Sequence, residues 1–198
     1  PGTSPLSALL DLGNDCYLIF SPGQGLEGSL PDFVTPNSKL LLLASCVGHT
    51  LGIAVWSAEH PDAELFAPDA IHEIFRKSGV VDKLQSIGAL AAQMPSHLQI
   101  HVPPPNKFHE VWLTDKQDET TFWIIGDAFL NFETVAGNLI KKFLLGLYSI
   151  KPGLRLNELF RLGLTDKQKF KEWAVTLFDK ANRQVSLPCH WEINAAKD

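Results

Sequence analysis

The most informative part of the sequence is residues 39–56, which read KLLLLASCVGHTLGIAVW. Residues 39–44 contain four consecutive leucines after a Pro-Asn turn, and so short an apolar run favours a buried strand. Thr50 is a candidate N-cap for the apolar stretch that follows, which is typical of a helix. The segment therefore predicts a strand, a polar loop and a helix, with His49 at the helix entrance.

Patterns on either side extend this unit into a layered α/β domain. Short apolar runs at residues 16–20 and 64–67 predict two more strands. A further helix is expected to begin at Asp69, with Ile71, Ile74 and Phe75 on its apolar side. This alternation of strands and helices implies a layered fold, and 198 residues suit one domain over positions 1–198.

The next segment predicts a strand at residues 98–102 and then a β-hairpin. The hairpin strands are expected at residues 110–114 and 121–125, which flank the polar residues 115–119. The second hairpin strand runs into Gly126-Asp127, so Asp127 is expected at the carboxyl tip of a strand, where functional residues are common.

The last third predicts two helices and a final strand. Residues 133–150 carry an apolar stripe four residues apart, made by Val135, Leu139, Phe143 and Leu147. This stripe has three open roles: it covers the sheet, pairs with a second copy of the chain in a homodimer, or touches a membrane surface. A second helix is expected at residues 166–181 with Thr165 as N-cap, and a strand at 185–187 leads to His190.

Composition excludes several classes of function. A net charge of -5 and the absence of clustered Lys and Arg oppose nucleic-acid binding. The longest apolar stretches fall well short of the ~20 residues of a transmembrane helix, and no phosphate-binding or serine-hydrolase phrase is present. Three cysteines, Cys16, Cys46 and Cys189, are too few for a disulfide framework and favour a reducing, cytoplasmic location.

Four phrases, taken in order, carry a resemblance to a known family. They are ASCVGH at 44–49, HPDAELFAP at 60–68, GDAFLNF at 126–132 and LPCHWE at 187–192. Over roughly residues 16–193 the chain resembles the metallo-β-lactamase superfamily, in particular a divergent branch that has lost most metal-binding residues. The resemblance implies a four-layer αββα sandwich.

The first phrase aligns with the H-x-H-x-D-H signature that supplies ligands to two metal ions in active members. Here Cys46 occupies the second His position, Gly48 replaces the Asp, and His49 remains. The Gly-His that precedes the family's hairpin has no clear counterpart, since only His109 offers a ligand in that region. This departure argues against a dinuclear site.

Two later residues match the family's remaining ligands. Asp127 matches its bridging Asp, and His190 matches its late His. The resemblance therefore implies a mononuclear site in which His49, Asp127 and His190, with Cys46 beside them, hold one Zn²⁺ or Fe²⁺ and its water, Asp127 and His190 being catalytic. Other interpretations stay open: a vestigial cleft without metal, or a structural zinc site that adds Cys189 to Cys46, His49 and His190.

Two functions follow from these interpretations. In the first, the protein is a hydrolase-like relative that acts on a small-molecule substrate through the reduced site. In the second, it is a catalytically inactive pseudoenzyme that uses the old cleft as a binding module. The remaining histidines, His60, His72, His97 and His101, are expected to be solvated or structural, and Trp112, Trp123 and Trp173 to pack in the core.

Overall fold

A computed structural model of the chain describes residues 7–76, 81–132, 153–178 and 183–188. Across these ranges the protein is a mixed α/β fold with several sheets. No helix within them combines the length and the apolar character that crossing a bilayer demands. The helix expected at 133–150 lies outside the described residues.

The first sheet carries strands in chain order. They are β1 (Ala8–Gly13), β2 (Cys16–Phe20), β3 (Lys39–Leu43), β4 (Glu64–Phe66) and β5 (Leu84–Gln85). β1 and β2 form an antiparallel hairpin, whereas β2 to β5 are parallel. Parallel strands place their carboxyl ends at one edge, so the loops after β2, β3 and β4 share that edge of the sheet.

The second sheet begins with three antiparallel strands. These are β6 (Leu98–His101), β7 (Trp112–Gln117) and β8 (Thr120–Ile125). A two-stranded ribbon of β9 (Phe129–Phe132) and β10 (Gly153–Leu156) follows. β11 (Arg183–Pro188) then joins the second sheet parallel to β8.

The helices are short and lie between the strands. They are α1 (Leu51–Glu59), α2 (His72–Arg76), α3 (Ile87–Ala91), α4 (Glu158–Gly163) and α5 (Lys167–Leu177). Single turns of 3₁₀ helix occupy Val47–His49, Asp69–Ile71 and Val81–Lys83. Asn157 and Asp166 cap α4 and α5, since each side chain accepts a hydrogen bond from a backbone N–H of the first turn.

Alternation along the strands divides the apolar side chains between the two faces of each sheet. One buried cluster joins the sheets and includes Leu18, Phe20, Leu41, Leu43, Leu113 and Ile124. On the other face of the first sheet, Ile19, Leu42 and Leu65 pack with Ile53, Trp56 and Phe75 of α1 and α2. On the other face of the second sheet, Trp112, Trp123 and Ile125 pack with Phe160 and Phe170 of α4 and α5. Period-two alternation is the physical basis of this division.

The predicted strands at 16–20, 39–44, 64–67, 98–102 and 185–187 are confirmed to within a residue or two. The hairpin is also confirmed, but its turn is tighter than expected. β7 continues to Gln117, which pairs with Thr120, so residues 115–117 belong to the strand. The turn is made by Asp118 and Glu119, and Asp118 adopts a positive φ of 51°, a conformation that Asp tolerates better than most residues.

Two details of the predicted helices are wrong, and a third holds only in part. The second late helix is capped by Asp166 rather than Thr165, because the Asp166 carboxylate accepts from the Lys169 N–H at 2.9 Å. Thr50 occupies the N-cap position of α1 as predicted, but its side chain makes no capping hydrogen bond and instead donates to the Val47 carbonyl. Ile74 is 44% exposed, since the turn at 69–71 is 3₁₀ and shifts the helical phase.

Candidate functional site

Cys46 and His49 lie just past the carboxyl end of β3, in the loop that leads to α1. Backbone hydrogen bonds tie this loop to residues 108–111. In one of them the Val111 N–H donates to the Ser45 carbonyl at 2.8 Å. Because Val111 runs directly into β7, this pairing sets the position of the loop relative to the second sheet.

Asp127 comes from the second sheet and meets both of these side chains. It follows Gly126 at the carboxyl end of β8, as the sequence predicts. Its Oδ1 lies 3.0 Å from His49 Nε2, and its Oδ2 accepts a hydrogen bond from Cys46 Sγ at 3.4 Å. One ligand atom from each residue lies within 4.8 Å of the other two, and the described residues contain this one group of three. We call it the Cys-His-Asp cluster.

The thiol of Cys46 sits in a dry and negatively charged environment. Its side chain is fully buried. Burial raises the pKa of Cys46 far above its usual range, and the nearby carboxylates of Asp127 and Glu110 raise it further. Cys46 is therefore a thiol that donates to Asp127, and a cation that binds to the sulfur must displace this proton.

Glu110 is a buried carboxyl group directly behind the cluster. It is 1% exposed, and it accepts hydrogen bonds from the Trp112 indole at 2.9 Å and from the backbone N–H groups of Asp127 at 3.0 Å and Ala128 at 3.2 Å. Burial raises the pKa of Glu110 to about 8, the charge of Asp127 acts in the same direction, and the three donors oppose them. No motif in the sequence marks this residue as part of a site, and the usable signal is an acid directly before the apolar run Val-Trp-Leu.

Gly48 leaves space that the Asp127 carboxylate occupies. A Cβ atom at position 48 would lie 2.5 Å from Asp127 Oδ2 and 3.6 Å from Cys46 Sγ. Real Cβ atoms do not approach an oxygen so closely, so Gly48 and the observed position of Asp127 depend on each other. The signature that the sequence resembles carries an Asp at this position, and the present arrangement has no room for it without movement of Asp127.

A cavity of about 280 Å³ opens beside the cluster. Its lining residues are Pro22, Gly23, Gln24, Gly48, His49, Leu51, Gly52 and Asp127. The cavity is just below the range of about 300–1,000 Å³ that is typical of small-molecule sites. His49 and Asp127 line it, whereas Cys46 does not.

The remaining predicted ligands differ in outcome. Cys189 and His190 lie outside the described residues, so the contribution of Cys189 to a structural zinc site and those of His190 to the metal site and to catalysis stay predictions. His109 is exposed, has a positive φ of 49°, and lines a separate cavity with Glu110 rather than joining the cluster.

The other histidines and the tryptophans have the structural roles that the sequence predicts. His60 stacks on Trp56, and the ring nitrogens of His72 and His101 pair with nearby backbone and hydroxyl oxygens. Trp112 and Trp123 are buried and pack edge to face with a centroid separation of 6.3 Å. None of these side chains belongs to the Cys-His-Asp cluster.

The chain matches no model of a known protein family, and a search of curated proteins gives no significant match.

Proposed function

We propose that the protein is a divergent relative of the metallo-β-lactamase superfamily with a reduced, mononuclear zinc site that is hydrolase-like. The proposed fold is the four-layer αββα sandwich of that superfamily. The apolar clusters support it: one lies between the two sheets, and one lies on each outer face against helices. This division is the one that an αββα arrangement requires.

The observation that carries the proposed function is the Cys-His-Asp cluster itself. Its residues come from two sheets and from positions 81 residues apart, yet their ligand atoms lie within 4.8 Å of one another. Thiolate, imidazole and carboxylate are all zinc ligands, and a soft sulfur donor favours Zn²⁺ over harder ions. The donor set therefore fits zinc better than it fits Fe²⁺.

Three protein ligands match the pattern of catalytic zinc sites, which keep an open position. When bound, the ion would supply a water molecule of lowered pKa. The chain's own residues prepare the site: Asp127 accepts from Cys46 and pairs with His49, and these contacts hold the ligand atoms together in advance. The adjacent cavity admits a small substrate. The resemblance adds His190 as a catalytic residue and as an alternative third ligand to Cys46, so that one position stays open for water.

Metal content tests the proposal directly. Protein purified from zinc-supplemented cells is expected to carry about one zinc per chain, measured by mass spectrometry. Combined substitution Cys46→Ser, His49→Ala and Asp127→Asn is expected to remove it. The matched control is Cys16→Ser with His97→Ala, a free thiol and an imidazole outside the cluster. Wild-type protein with no zinc, or zinc that persists in the triple variant, would contradict the proposal.

A catalytically inactive binding module is the second candidate function. It is favoured by the loss of ligand atoms at Ala44 and Gly48 and by the way Asp127 fills the space beside Gly48. Turnover of generic ester, lactam or phosphodiester substrates separates the two functions. Zinc-loaded protein that hydrolyses one of them, and loses the activity in Asp127→Asn, supports the hydrolase. Stoichiometric zinc without turnover supports the binding module.

Substitution of Gly48 by alanine is expected to weaken zinc binding about 10-fold or more, a loss within the range seen when residues that orient ligands are changed. The added Cβ displaces the Asp127 carboxylate from its position at the cluster. Because this carboxylate is the end of a flexible side chain, the free energy of unfolding should change by less than about 1 kcal/mol. Competition with a chromophoric chelator and denaturant unfolding measure the two quantities. Gly28→Ala is the control, since nothing lies within 4 Å of a Cβ there. Equal zinc affinity in both variants would refute this expectation.

A further inference from the structure

The turn that carries Asp127 is held from both sides by hydrogen bonds. On the N–H side, Glu110 Oε2 accepts from Asp127 and Glu110 Oε1 accepts from Ala128. On the carbonyl side, the side-chain amide of Asn157 donates to the backbone carbonyl oxygen of Asp127 at 2.9 Å. The backbone N–H of Asn157 donates to the carbonyl oxygen of Ala128 at 2.8 Å. The backbone on both sides of the Asp127 side chain is thereby fixed.

Close packing at Gly126 restricts the same turn. A Cβ atom there would lie 3.1 Å from Ser45 Oγ and 3.2 Å from the Glu110 carboxyl carbon. Glu110 therefore accepts from two residues of the turn and leaves no room for a side chain at the residue before them. Ser45, which restricts Gly126 from the other direction, directly precedes Cys46 of the Cys-His-Asp cluster.

The chemistry of this position favours a carboxyl group over an amide. Three donors converge on Glu110: two backbone N–H groups and the Trp112 indole. Both oxygens of a carboxyl group can accept hydrogen bonds, whereas the glutamine amide has one acceptor oxygen and a competing donor group. Glutamine keeps the volume of Glu110 but leaves at least one buried donor without a partner.

From these contacts we infer that Glu110 is a positioning residue, which aims the Asp127 carboxylate at Cys46 and His49 and so preorganises the zinc site. The inference rests on the proposed function. Glu110 itself is assigned no contact with metal or substrate. Glu110 is expected to set the geometry of Asp127 in the metal-free protein, and that geometry in turn affects the metal affinity.

The first arm of the test uses metal-free protein. Amide hydrogen exchange of Asp127 and Ala128, followed by NMR, is expected to be at least about 10-fold faster in Glu110→Gln than in wild type, because a buried hydrogen bond to the turn is lost. Thr114→Val is the matched control. Thr114 is also a buried polar residue, on β7, whose hydroxyl pairs with His101 and not with the turn.

The second arm measures zinc and cobalt affinity in the same variants. Glu110→Gln is expected to bind zinc about 10- to 100-fold more weakly and to give an altered thiolate-to-cobalt absorption band, as for other losses of a residue that orients a ligand. Thr114→Val is expected to match wild type in both. Glu110→Gln with wild-type affinity and an unchanged cobalt spectrum would overturn the positioning role, even if exchange is faster.

The two arms separate this inference from the proposed function. If wild-type protein binds neither zinc nor cobalt, the proposed function is wrong. The hydrogen-exchange measurement then decides by itself whether Glu110 holds the turn. Should Glu110→Gln fail to fold, wild-type exchange provides the test. The Asp127 and Ala128 amides are expected to exchange at least about 100-fold more slowly than those of the exposed turn at residues 118–119. Equal rates would overturn the inference.

Discussion

Asp127→Asn is expected to weaken zinc binding at least about 100-fold, which corresponds to about 2.7 kcal/mol of binding free energy. Asparagine keeps the shape of the side chain and an oxygen that can pair with His49. It removes the negative charge and the anionic ligand atom that lies between His49 and Cys46. Changes in residues that only orient ligands weaken metal binding 10- to 100-fold. Loss of a direct ligand should cost more, so we expect a loss of at least about 100-fold.

Competition titration against a chelator of known affinity measures this loss. Asp69→Asn is the matched control, because Asp69 also lies beside a histidine, with Oδ1 at 3.9 Å from His72 Nε2, but has no thiol partner. Its substitution should leave zinc affinity unchanged. If Asp127→Asn binds zinc as tightly as Asp69→Asn does, Asp127 is not a ligand.

Gly52→Ala is expected to lower the free energy of unfolding by about 3 kcal/mol or more, the upper part of the range for overpacking. Gly52 lies in the first turn of α1, and a Cβ atom there would overlap the backbone carbonyl oxygen of Pro22. Neither partner is a flexible side chain, so α1 must move away from the loop after β2. That movement also strains the buried hydrogen bond from the Trp56 indole to the Gly23 carbonyl, which is 2.8 Å long.

Helix propensity alone predicts the opposite change in stability, since it favours alanine over glycine by about 1 kcal/mol. Gly88→Ala supplies the contrast, since Gly88 also lies in a helix and its Cβ would meet only Ser86 Oγ at an ordinary 3.7 Å. That variant should be neutral or slightly stabilised. Denaturant unfolding of both variants gives the comparison, and equal stabilities would show that the close approach at Gly52 is relieved without cost.

The elements that the sequence predicts well share one property, which is a strong local pattern. The leucine run of β3 and the Phe-Trp-Ile-Ile run of β8 are apolar, and both are bounded by turn residues. The elements not predicted lack such a pattern. β5 has two residues, and β1 mixes Leu9, Leu10 and Leu12 with Asp11, so its strand structure depends on pairing with β2.

The residues of the site also divide into those that the sequence marks and those that it does not. Family resemblance selected Cys46, His49 and Asp127, and the structure brings these side chains together. Their roles as ligands stay a prediction. Glu110 was not selected because its environment depends on Asp127 and Ala128, which lie 17 and 18 residues further along the chain.

By itself, the sequence determined the strand-loop-helix unit around His49, the hairpin that ends at Asp127, and the apolar faces on which the helices pack. These depend on residue periodicity and turn chemistry, which act over a few neighbours. Only the tertiary structure decided that Asp127 reaches Cys46 and His49, that Gly48 leaves it room, and that Glu110 holds its backbone. The first two contacts join segments of different sheets, and the third joins the two ends of the β7–β8 hairpin across the sheet. Their distances depend on sheet packing and strand register, which no local pattern specifies.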